Sequence, residues 1–440
     1  MRNAFVALVA GMLAASTYGA DLSLTNARVL TMDSGPTYEV LDIVVHDGTF
    51  ASGPAAPDAE TIDLDGMYVI PGLTEMHAHV PVPRMDNPGY REDVLFLWVA
   101  NGVTRARGMM GHPTHLELRD AIAAHDVLGP ALMISGPSFS GGSVRDVATA
   151  EQRVRDQLAA GYDFLKIHPG LSEAAFHAVA QTANEAGIAF AGHVTGAVGL
   201  LDSLAAKQQT IDHLDGFVET LVAPARLADR QGSWFGADLV PDVESGRIPA
   251  LIDALTASGA AVVPTETLLE NVAGDLAAQQ AREDYAYLPE NLRQSYSRAV
   301  AGSARGFTPE SAARFLSLRK RLIGAAHDAG VPILLGSDSP QIFNTPGFSI
   351  HRELAAMVAS GMSPFEAIAS GSTVPAEFYG MGETWGSILP GRDADLVVLR
   401  NDPLADIDNS RSIEAVMVRG RYLARDELDA GLADIRQRYE

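Results

Sequence analysis

Cysteine is absent from the 440-residue sequence. This absence excludes disulfide bonds, thiolate metal ligands, cysteine nucleophiles and a lipid-modified N-terminal cysteine. Any metal ion must therefore be held by nitrogen and oxygen ligands.

Positive charge is scarce as well. The chain has 32 Lys and Arg against 55 Asp and Glu, which gives a formal net charge of −23. A protein with this balance repels the phosphates of nucleic acids and anionic lipid surfaces, so we expect no nucleic-acid partner. With 47% hydrophobic and 20% charged residues, the composition is that of an ordinary globular protein and excludes wholesale disorder.

Long apolar runs are missing, apart from a short one near the N-terminus. Arg2 precedes an apolar run over residues 4–15, and small residues follow at Gly19 and Ala20, which together predict a signal peptide over residues 1–20. The run is too short to span a membrane, and no other segment has 18 consecutive apolar residues. We therefore expect a periplasmic or secreted protein without membrane contact after signal removal, with a buried N-terminal helix as the alternative.

Strand-like texture at both ends encloses a different middle. Residues 21–70 and 384–440 carry short β runs separated by Gly, Pro and Asp, and the first of these regions is expected to form antiparallel sheet. Residues 71–383 carry eight short apolar runs that alternate with helical segments, which favours a closed (β/α)8 barrel. We therefore predict an α/β protein: a TIM barrel with one small β domain built from both ends. A longer polar stretch, 270–314, is expected to be helical and to follow the seventh barrel strand.

The first chemical signal is the pair His77 and His79 in the first predicted barrel strand. Residues two apart on a strand project to the same side, so both imidazoles can reach one ion. Alone, such a pair is a weak signal, because chance or packing explains many matches.

Four further residues strengthen it: Lys166, His193, His213 and Asp338 each lie near the carboxyl end of a predicted strand. Catalysis in barrels takes place at that end. Each residue has a purely structural interpretation, since a lone His often packs in a core and an Asp after Gly-Ser often caps a helix. All of them together would require several coincidences.

These segments resemble the amidohydrolase superfamily of metal-dependent hydrolases. The resemblance is carried by PGLTEMHAHV, by the four residues just named, and by the C-terminal phrases GSILPGRDADLVVLRNDP and VMVRGRYL. Within the superfamily the chain is most similar to the Xaa-Pro dipeptidase (prolidase) and imidazolonepropionase-like branch, through KI…LSEAAF…AGHV and SIHREL. The resemblance implies a (β/α)8 barrel with a small β-sandwich domain and one or two divalent metal ions.

The resemblance also assigns ligands to two metals. His77, His79 and Asp338 would bind the more buried ion, and His193 and His213 would bind the second. Zn²⁺ is the expected ion, with Mn²⁺, Co²⁺ and Fe²⁺ left open because all of them accept N and O ligands.

Lys166 matches the bridging ligand of the family and is expected to be N6-carboxylated. Desolvation favours a neutral amine, which can add carbon dioxide to give a carbamate with two oxygens for two cations. An uncarboxylated lysine would instead leave one metal or an ammonium that binds substrate.

The expected activity is hydrolysis of an amide or peptide C–N bond in a small molecule, such as an Xaa-Pro-like dipeptide or an N-acyl amino acid. A metal-bridged hydroxide would attack, and Asp338 would pass its proton to the leaving nitrogen. The alternatives are a mononuclear ring amidohydrolase or deaminase, an esterase, lactonase or phosphotriesterase, and a non-catalytic binding scaffold. A homo-oligomer is left open.

Weaker candidates surround this set. His168 shares the inward face of its strand with the lysine two positions earlier, so we expect it to contact substrate. Arg105 and Arg107 share a face of the second strand and are candidates to bind a substrate carboxylate, although structural salt bridges are an equal alternative. His351, in the SIHREL helix, is expected to support the region of the catalytic aspartate.

Overall fold

The structure, a computed structural model, describes residues 21–83, 89–227, 234–303 and 306–440. The predicted signal peptide, residues 1–20, lies outside these ranges. Among the described residues, the structure contains no helix with the length and apolar character needed to cross a membrane.

The strands are short and concentrate at both ends and at regular intervals between them. They are Leu22–Val29 (β1), Glu39–His46 (β2), Thr49–Ala51 (β3), Glu60–Asp63 (β4), Tyr68–Pro71 (β5), Leu73–Ala78 (β6), Val103–Gly108 (β7), Ala131–Ile134 (β8), Leu165–Ile167 (β9), Phe190–Gly192 (β10), Thr210–Asp212 (β11), Ala261–Val263 (β12), Leu396–Leu399 (β13), Ile413–Val418 (β14) and Arg421–Ala424 (β15).

Helices connect the strands of the middle region and close the chain. They are Tyr90–Ala100 (α1), Thr114–Ala123 (α2), Val147–Ala160 (α3), Glu173–Ala186 (α4), Leu200–Ala205 (α5), Phe217–Thr220 (α6), Pro224–Leu227 (α7), Ile248–Ser258 (α8), Glu266–Ala273 (α9), Leu276–Gln280 (α10), Glu290–Ser303 (α11), Pro309–Asp328 (α12), Phe348–Ala359 (α13), Pro364–Ser370 (α14), Thr373–Phe378 (α15) and Arg425–Tyr439 (α16), with 3-10 turns at Trp234–Asp242, Ser245–Arg247, Glu283–Tyr287 and Ile407–Arg411.

The two ends of the chain share one sheet, in the order β15-β14-β13-β5-β1-β2-β3, with β4 also paired to β1. The ends meet where β5 pairs antiparallel with β13. The prediction of a purely antiparallel N-terminal sheet is wrong, because β4 and β5 pair parallel with the two halves of β1. The connection from β3 crosses to the far side of β1 before the chain pairs again.

A β-bulge explains how β1 buries apolar side chains along its whole length. Leu22 and Leu24 are fully buried before the bulge, and Ala27 and Val29 are fully buried after it. Alternation of faces would otherwise place these two pairs on opposite sides of the strand, but one extra residue in a bulge restores the buried face. Asn26, at the bulge, has a positive φ of 56°, which Asn tolerates better than most residues.

The middle region is a series of parallel strands linked by helices. β6, β7 and β8 pair parallel, and β9 to β12 pair parallel in a second set. Single parallel bridges join these sets: Ser135 with Phe164, Val262 with Ile333, and Ala78 with Ser339. Through these bridges the strands and the segment 333–339 follow one another around a closed circuit, in chain order.

The eighth predicted strand, within ILLGSD, forms no regular strand in the structure. It makes scattered backbone bonds instead, with Met76 N–H donating to Leu335 O at 2.8 Å and Asp338 N–H donating to His77 O at 3.0 Å. Asp338 has a positive φ of 61°, which interrupts the extended backbone that a strand ladder requires. The segment nonetheless occupies the place expected for the last strand.

The described part of the predicted insertion, 270–303 and 306–314, is mainly helical, as expected, and packs beside the segment after Asp338. Tyr285 and Tyr296 lie against Phe343 with ring centroids 5.9 and 5.6 Å apart. The Tyr296 hydroxyl donates to Pro340 O at 3.2 Å. The insertion therefore covers the carboxyl end of the parallel strands.

One arginine ties the terminal sheet to the parallel circuit. Arg105 of β7 forms a hydrogen-bonded ion pair with Asp393 and donates to Asp395 at 3.1 Å, and its guanidinium lies 4.6 Å from the Trp385 ring centroid. Its side chain is 12% exposed and that of Asp395 is 6% exposed. Loss of the cation would leave two carboxylates in a mostly dehydrated interface.

Replacement of Arg105 with alanine should lower the free energy of unfolding by about 3 kcal/mol, because the Asp395 carboxylate would be buried without its cation. Urea denaturation measures this. Arg400→Ala is the matched control: Arg400 pairs with Glu414 on the same sheet but is 64% exposed, so its loss should be far smaller. Equal effects in the two variants would contradict the interface role of Arg105.

Candidate metal centre

The predicted ligands converge at the carboxyl ends of the parallel strands. Two histidines lie at the end of β6, the lysine lies within β9, and one histidine each follows β10 and β11, with the aspartate in the segment 333–339: His77, His79, Lys166, His193, His213 and Asp338.

The first group can hold a metal ion. One ligand atom from each of His77, His79 and Asp338 lies within 4.8 Å of the others. His79 Nε2 is 2.6 Å from Asp338 Oδ1, and His77 Nε2 is 3.6 Å from the same oxygen. His77 and Asp338 are 1% and 2% exposed, so the group is shielded from water.

Two glycines make room for this arrangement. A Cβ at Gly336 would lie 2.9 Å from the backbone nitrogen of His77, and a Cβ at Gly192 would lie 2.7 Å from Lys166 Cδ. Gly192 also has a positive φ of 116°, which side chains rarely adopt. The close approach of the last segment to His77, and the path of the lysine stem, both depend on the missing Cβ.

Lys166 is fully buried between the two groups of histidines. Its Nζ lies 3.4 Å from His77 Nε2 and 3.9 Å from Asp212 Oδ2. Burial lowers the pKa of Lys166 from its ordinary value, while the charges of Asp212 and Asp338 oppose that shift. The structure therefore places an amine of reduced basicity beside the first group.

The second pair of histidines is adjacent. The ring centroids of His193 and His213 are 4.5 Å apart, and those of His77 and His213 are also 4.5 Å apart. Burial and neighbouring histidines lower the pKa of His213 well below its ordinary value, so this ring is neutral, the form that binds metals.

The hydrogen bonds of His213 leave one ring nitrogen free. Thr265 Oγ1 donates to Pro264 O at 2.8 Å and lies 2.7 Å from His213 Nδ1. A hydroxyl has one proton, so when Thr265 donates to Pro264 it accepts from Nδ1–H, and Nε2 then keeps its lone pair. His213 Nε2 is buried and has no hydrogen-bond partner among the described residues, which fits a metal ligand.

Two aspartates that sequence reasoning missed orient the histidines. Asp212 Oδ2 lies 2.8 Å from His77 Nδ1, and Asp215 Oδ2 lies 2.7 Å from His193 Nδ1. Asp215 forms a hydrogen bond with His193 Nδ1, which leaves His193 Nε2 free to bind. Asp212 lies beside His77 Nδ1 as an ion-pair partner, outside hydrogen-bond geometry. Both aspartates flank His213 in the sequence, but they contact other histidines. The only sequence signal for them is that two carboxylates lie within two residues of a predicted ligand.

Asp338 also contacts a glutamine that the sequence did not identify as part of the site. Gln341 Nε2 donates to Asp338 Oδ2 at 3.0 Å. Burial alone would raise the pKa of Asp338, but the charges of His77 and His79 and the hydrogen bond from His79 lower it well below its ordinary value. The aspartate is therefore ionised, with Oδ2 held by Gln341 and Oδ1 in an ion-pair contact with His79.

His168 lies at the edge of the group, as expected for an inward residue of β9. Its ring stacks on His193 with centroids 5.1 Å apart, and its Nδ1 lies 2.9 Å from Ser138 Oγ. A cavity of about 880 Å³ opens beside His193 and Asp215 and is lined further on by apolar residues such as Leu239. Its volume suits a small organic molecule.

The structure does not bring Arg105 or Arg107 to a place where they could bind substrate. Arg105 is held by Asp393 and Asp395 at the terminal sheet. Arg107 is 1% exposed, donates to Met76 O at 2.7 Å and lies 3.5 Å from Asp212 Oδ1. The expected carboxylate contacts are therefore corrected to structural salt bridges, of which that of Arg107 supports Asp212.

His351 also lies away from the aspartate that it was expected to support. Its Nδ1 is 3.0 Å from Ser410 Oγ, near the C-terminal strands. On the same helix, Ser349 is the residue that reaches the region of Asp338, with its hydroxyl 2.8 Å from that of Ser337. The prediction of a helix is confirmed, but the residue of this helix that lies near Asp338 is two positions before His351.

Comparisons with known proteins identify the family and the fold. Residues 68–423 match the Amidohydrolase family. The bottromycin amidohydrolase superposes with a TM-score of 0.72 at 23% identity, over 95% of this chain and 90% of that one. An Xaa-Pro dipeptidase with bound methionine in its active site superposes with a TM-score of 0.67 at 18% identity, over 92% of this chain and all (100%) of that one. At these identities the likeness shows a shared fold.

A curated relative matches a shorter region. The imidazolonepropionase of Thermoplasma volcanium is 34% identical over 91 residues, which are 20% of this chain and 22% of that protein. The chain thus aligns with only about a fifth of this relative's length.

Removal of the His351 imidazole should reduce the loss of stability in acid. Burial lowers its pKa from 6.5 to about 3, so below pH 6.5 the unfolded chain takes up a proton that the folded protein refuses. Its contribution to stability should fall by up to about 1.4 kcal/mol per pH unit over that window. His351→Asn, which can keep the bond to Ser410, should flatten the pH dependence of urea midpoints between pH 6.5 and 4.

The control is His177→Asn, which removes an exposed imidazole from α4. A His351 variant with the pH profile of the starting protein would contradict the assignment.

Proposed function

The chain belongs to the Amidohydrolase family. From this premise we propose that it is a hydrolase that cleaves an amide or peptide C–N bond in a small substrate at a binuclear metal centre. The observation that carries the proposal is the position of Lys166 Nζ, which is fully buried and lies 3.4 Å from His77 Nε2. Xaa-Pro-like dipeptides and N-acyl amino acids are the proposed substrate class, and the shared fold with an Xaa-Pro dipeptidase supports it.

The proposed architecture follows from the pairing of strands. The closed parallel circuit is interpreted as a (β/α)8 barrel over residues 71–383, and the sheet from both chain ends as the small β-sandwich domain. The junction of β5 with β13 supports a shared terminal domain, because it joins residues 68–71 to residues 396–399.

The proposed ligands divide into two sets joined by a bridge. His77, His79 and Asp338 would hold one ion, His193 and His213 the other, and carboxylated Lys166 both. The reduced basicity of buried Lys166 supports carboxylation: its neutral Nζ would form a bond to the carbon of CO₂ and release one proton. When bound, the cations would activate a water molecule and polarise the scissile carbonyl.

Within this scheme the side chains have distinct tasks. Asp338, ionised and fixed by Gln341, accepts the proton of the attacking water and delivers it to the leaving nitrogen. Asp215 keeps His193 in one tautomer, and Asp212 is the ion-pair partner of His77. His168, whose ring stacks on His193, is proposed to contact substrate. Zn²⁺ is the proposed ion because all ligands are N or O donors and the histidines predominate.

Elemental analysis of the purified protein tests the centre. We expect close to two divalent ions per chain, and a fall to one or fewer in Lys166→Ala, since the bridge would be lost. Lys207→Ala is the matched control, because this exposed lysine lies in a turn after α5, and it should keep both ions.

The same preparations should be assayed on a panel of dipeptides and N-acyl amino acids, with hydrolysis that disappears on chelation and returns with Zn²⁺. One ion per chain, unchanged in Lys166→Ala, would refute the bridged centre and direct the search to mononuclear ring hydrolases and deaminases.

Export to the periplasm or the medium completes the proposal, and it depends on the sequence of residues 1–20 alone. In a Gram-negative expression host, the intact mass of protein from the periplasmic fraction should show the loss of about 20 N-terminal residues. Full-length protein confined to the cytoplasm would contradict it.

A further inference from the structure

A fully buried guanidinium contacts the backbone behind the second pair of histidines. Arg319 of α12 is 1% exposed. Its Nη1 donates to His213 O at 2.9 Å, its Nη2 to Pro264 O at 3.0 Å, and its Nε to Glu266 Oε2 at 2.7 Å. One side chain thus joins the residue after β11 to the residue after β12.

The surroundings of Arg319 are charged and dry. Glu266 is 1% exposed and Glu353 is fully buried. Both oxygens of Glu353 accept backbone N–H groups at the start of α9, from Glu266 and Thr267, at 2.8 Å each. Burial raises the pKa of both carboxyls. A buried ion pair of this kind is often no more stabilising than apolar packing, so stability alone does not explain it.

His213, which Arg319 contacts, and Thr265, which follows the contacted Pro264, both have unfavourable backbone conformations. His213 has a φ of 63° and Thr265, next to Pro264, has a φ of 48°. Such conformations cost about 1–3 kcal/mol and persist only where surrounding contacts enforce them. These same residues share the bond between His213 Nδ1 and Thr265 Oγ1, which directs Nε2 toward the metal centre.

We propose that Arg319 is a positioning residue for His213. It holds the carbonyl groups of His213 and Pro264, while Glu266 fixes the guanidinium and Glu353 fixes the start of α9. These contacts set the direction of the His213 imidazole and hence the affinity of the second metal position. The inference rests on the proposed metal centre. Arg319 itself touches neither substrate nor reacting atoms.

The test is a titration of the metal-free full chain with Zn²⁺, measured by isothermal titration calorimetry. Arg319→Met keeps most of the side-chain length but removes all three donors. We expect the first ion to bind as before and the second to bind about 10- to 100-fold more weakly. The activity that this variant loses should largely return at excess Zn²⁺. Arg319→Lys keeps the charge and one donor group. Its affinity for the second ion should lie between that of Arg319→Met and that of the starting protein.

Arg352→Met is the matched control. Arg352 forms a partly buried pair with Asp284 and donates to Phe343 O at 3.3 Å, so it loses comparable interactions without contacting a proposed ligand. Its thermal stability should fall while both Zn²⁺ affinities stay unchanged. An Arg319→Met protein that is destabilised but binds both ions with the original affinity would overturn the proposal and leave Arg319 a purely structural residue.

Two further measurements keep the inference decidable. If Arg319→Met does not fold, Glu266→Gln removes only the charge of the partner, and it should weaken the second ion several-fold. If the starting protein binds no divalent ion, the proposed function fails, and ¹⁵N NMR of the metal-free chain decides the positioning role: Arg319→Lys should then disturb the Nδ1–H tautomer of His213, whereas an unchanged His213 signal would overturn the inference.

Discussion

Burial of ionisable side chains at one end of the parallel strands is the constraint on which the rest of the structure depends. His77, Lys166, Asp212 and Asp338 are almost completely removed from water, and charged groups in such a place must find partners. The partners they find are one another, together with the backbone groups of neighbouring segments. This mutual dependence explains why glycines stand where segments approach closely, and why the last segment of the circuit departs from regular strand geometry.

The supporting contacts run between neighbouring segments rather than along one segment. Asp212, at the end of β11, serves His77 on β6, and Thr265 serves His213 on the preceding segment. Arg107 reaches from β7 across the interior to Asp212. Each imidazole is therefore oriented by a different part of the chain, so the geometry of the centre depends on the whole circuit being closed.

The sequence predicted the parts that obey simple periodicities. The HAH spacing placed two imidazoles on one face, and the positions of Lys166, His193, His213 and Asp338 after apolar runs placed them at one edge. It did not predict which carboxylate serves which histidine, because those pairings arise from packing between residues far apart in the chain. His351 failed for a related reason: helix periodicity identifies faces, and only the packing shows that the Ser349 face meets Asp338. Arg105 and Arg107 both lie in β7, but each is held by carboxylates of the chain itself, which the strand pattern did not reveal.

The sheet shared by both chain ends also affects the order in which the molecule can form. Residues near position 70 pair with residues near position 397, so β5 has no partner on that side until nearly the whole chain has been synthesised. Long-range pairings of this kind form late and slow folding, because the loop between them must first be closed. An unfinished chain would expose the edge of β5, and an exposed strand edge can pair with other chains and aggregate. Under the proposed export, a sheet that only the last segment can complete would also keep the chain from folding before its synthesis is nearly finished.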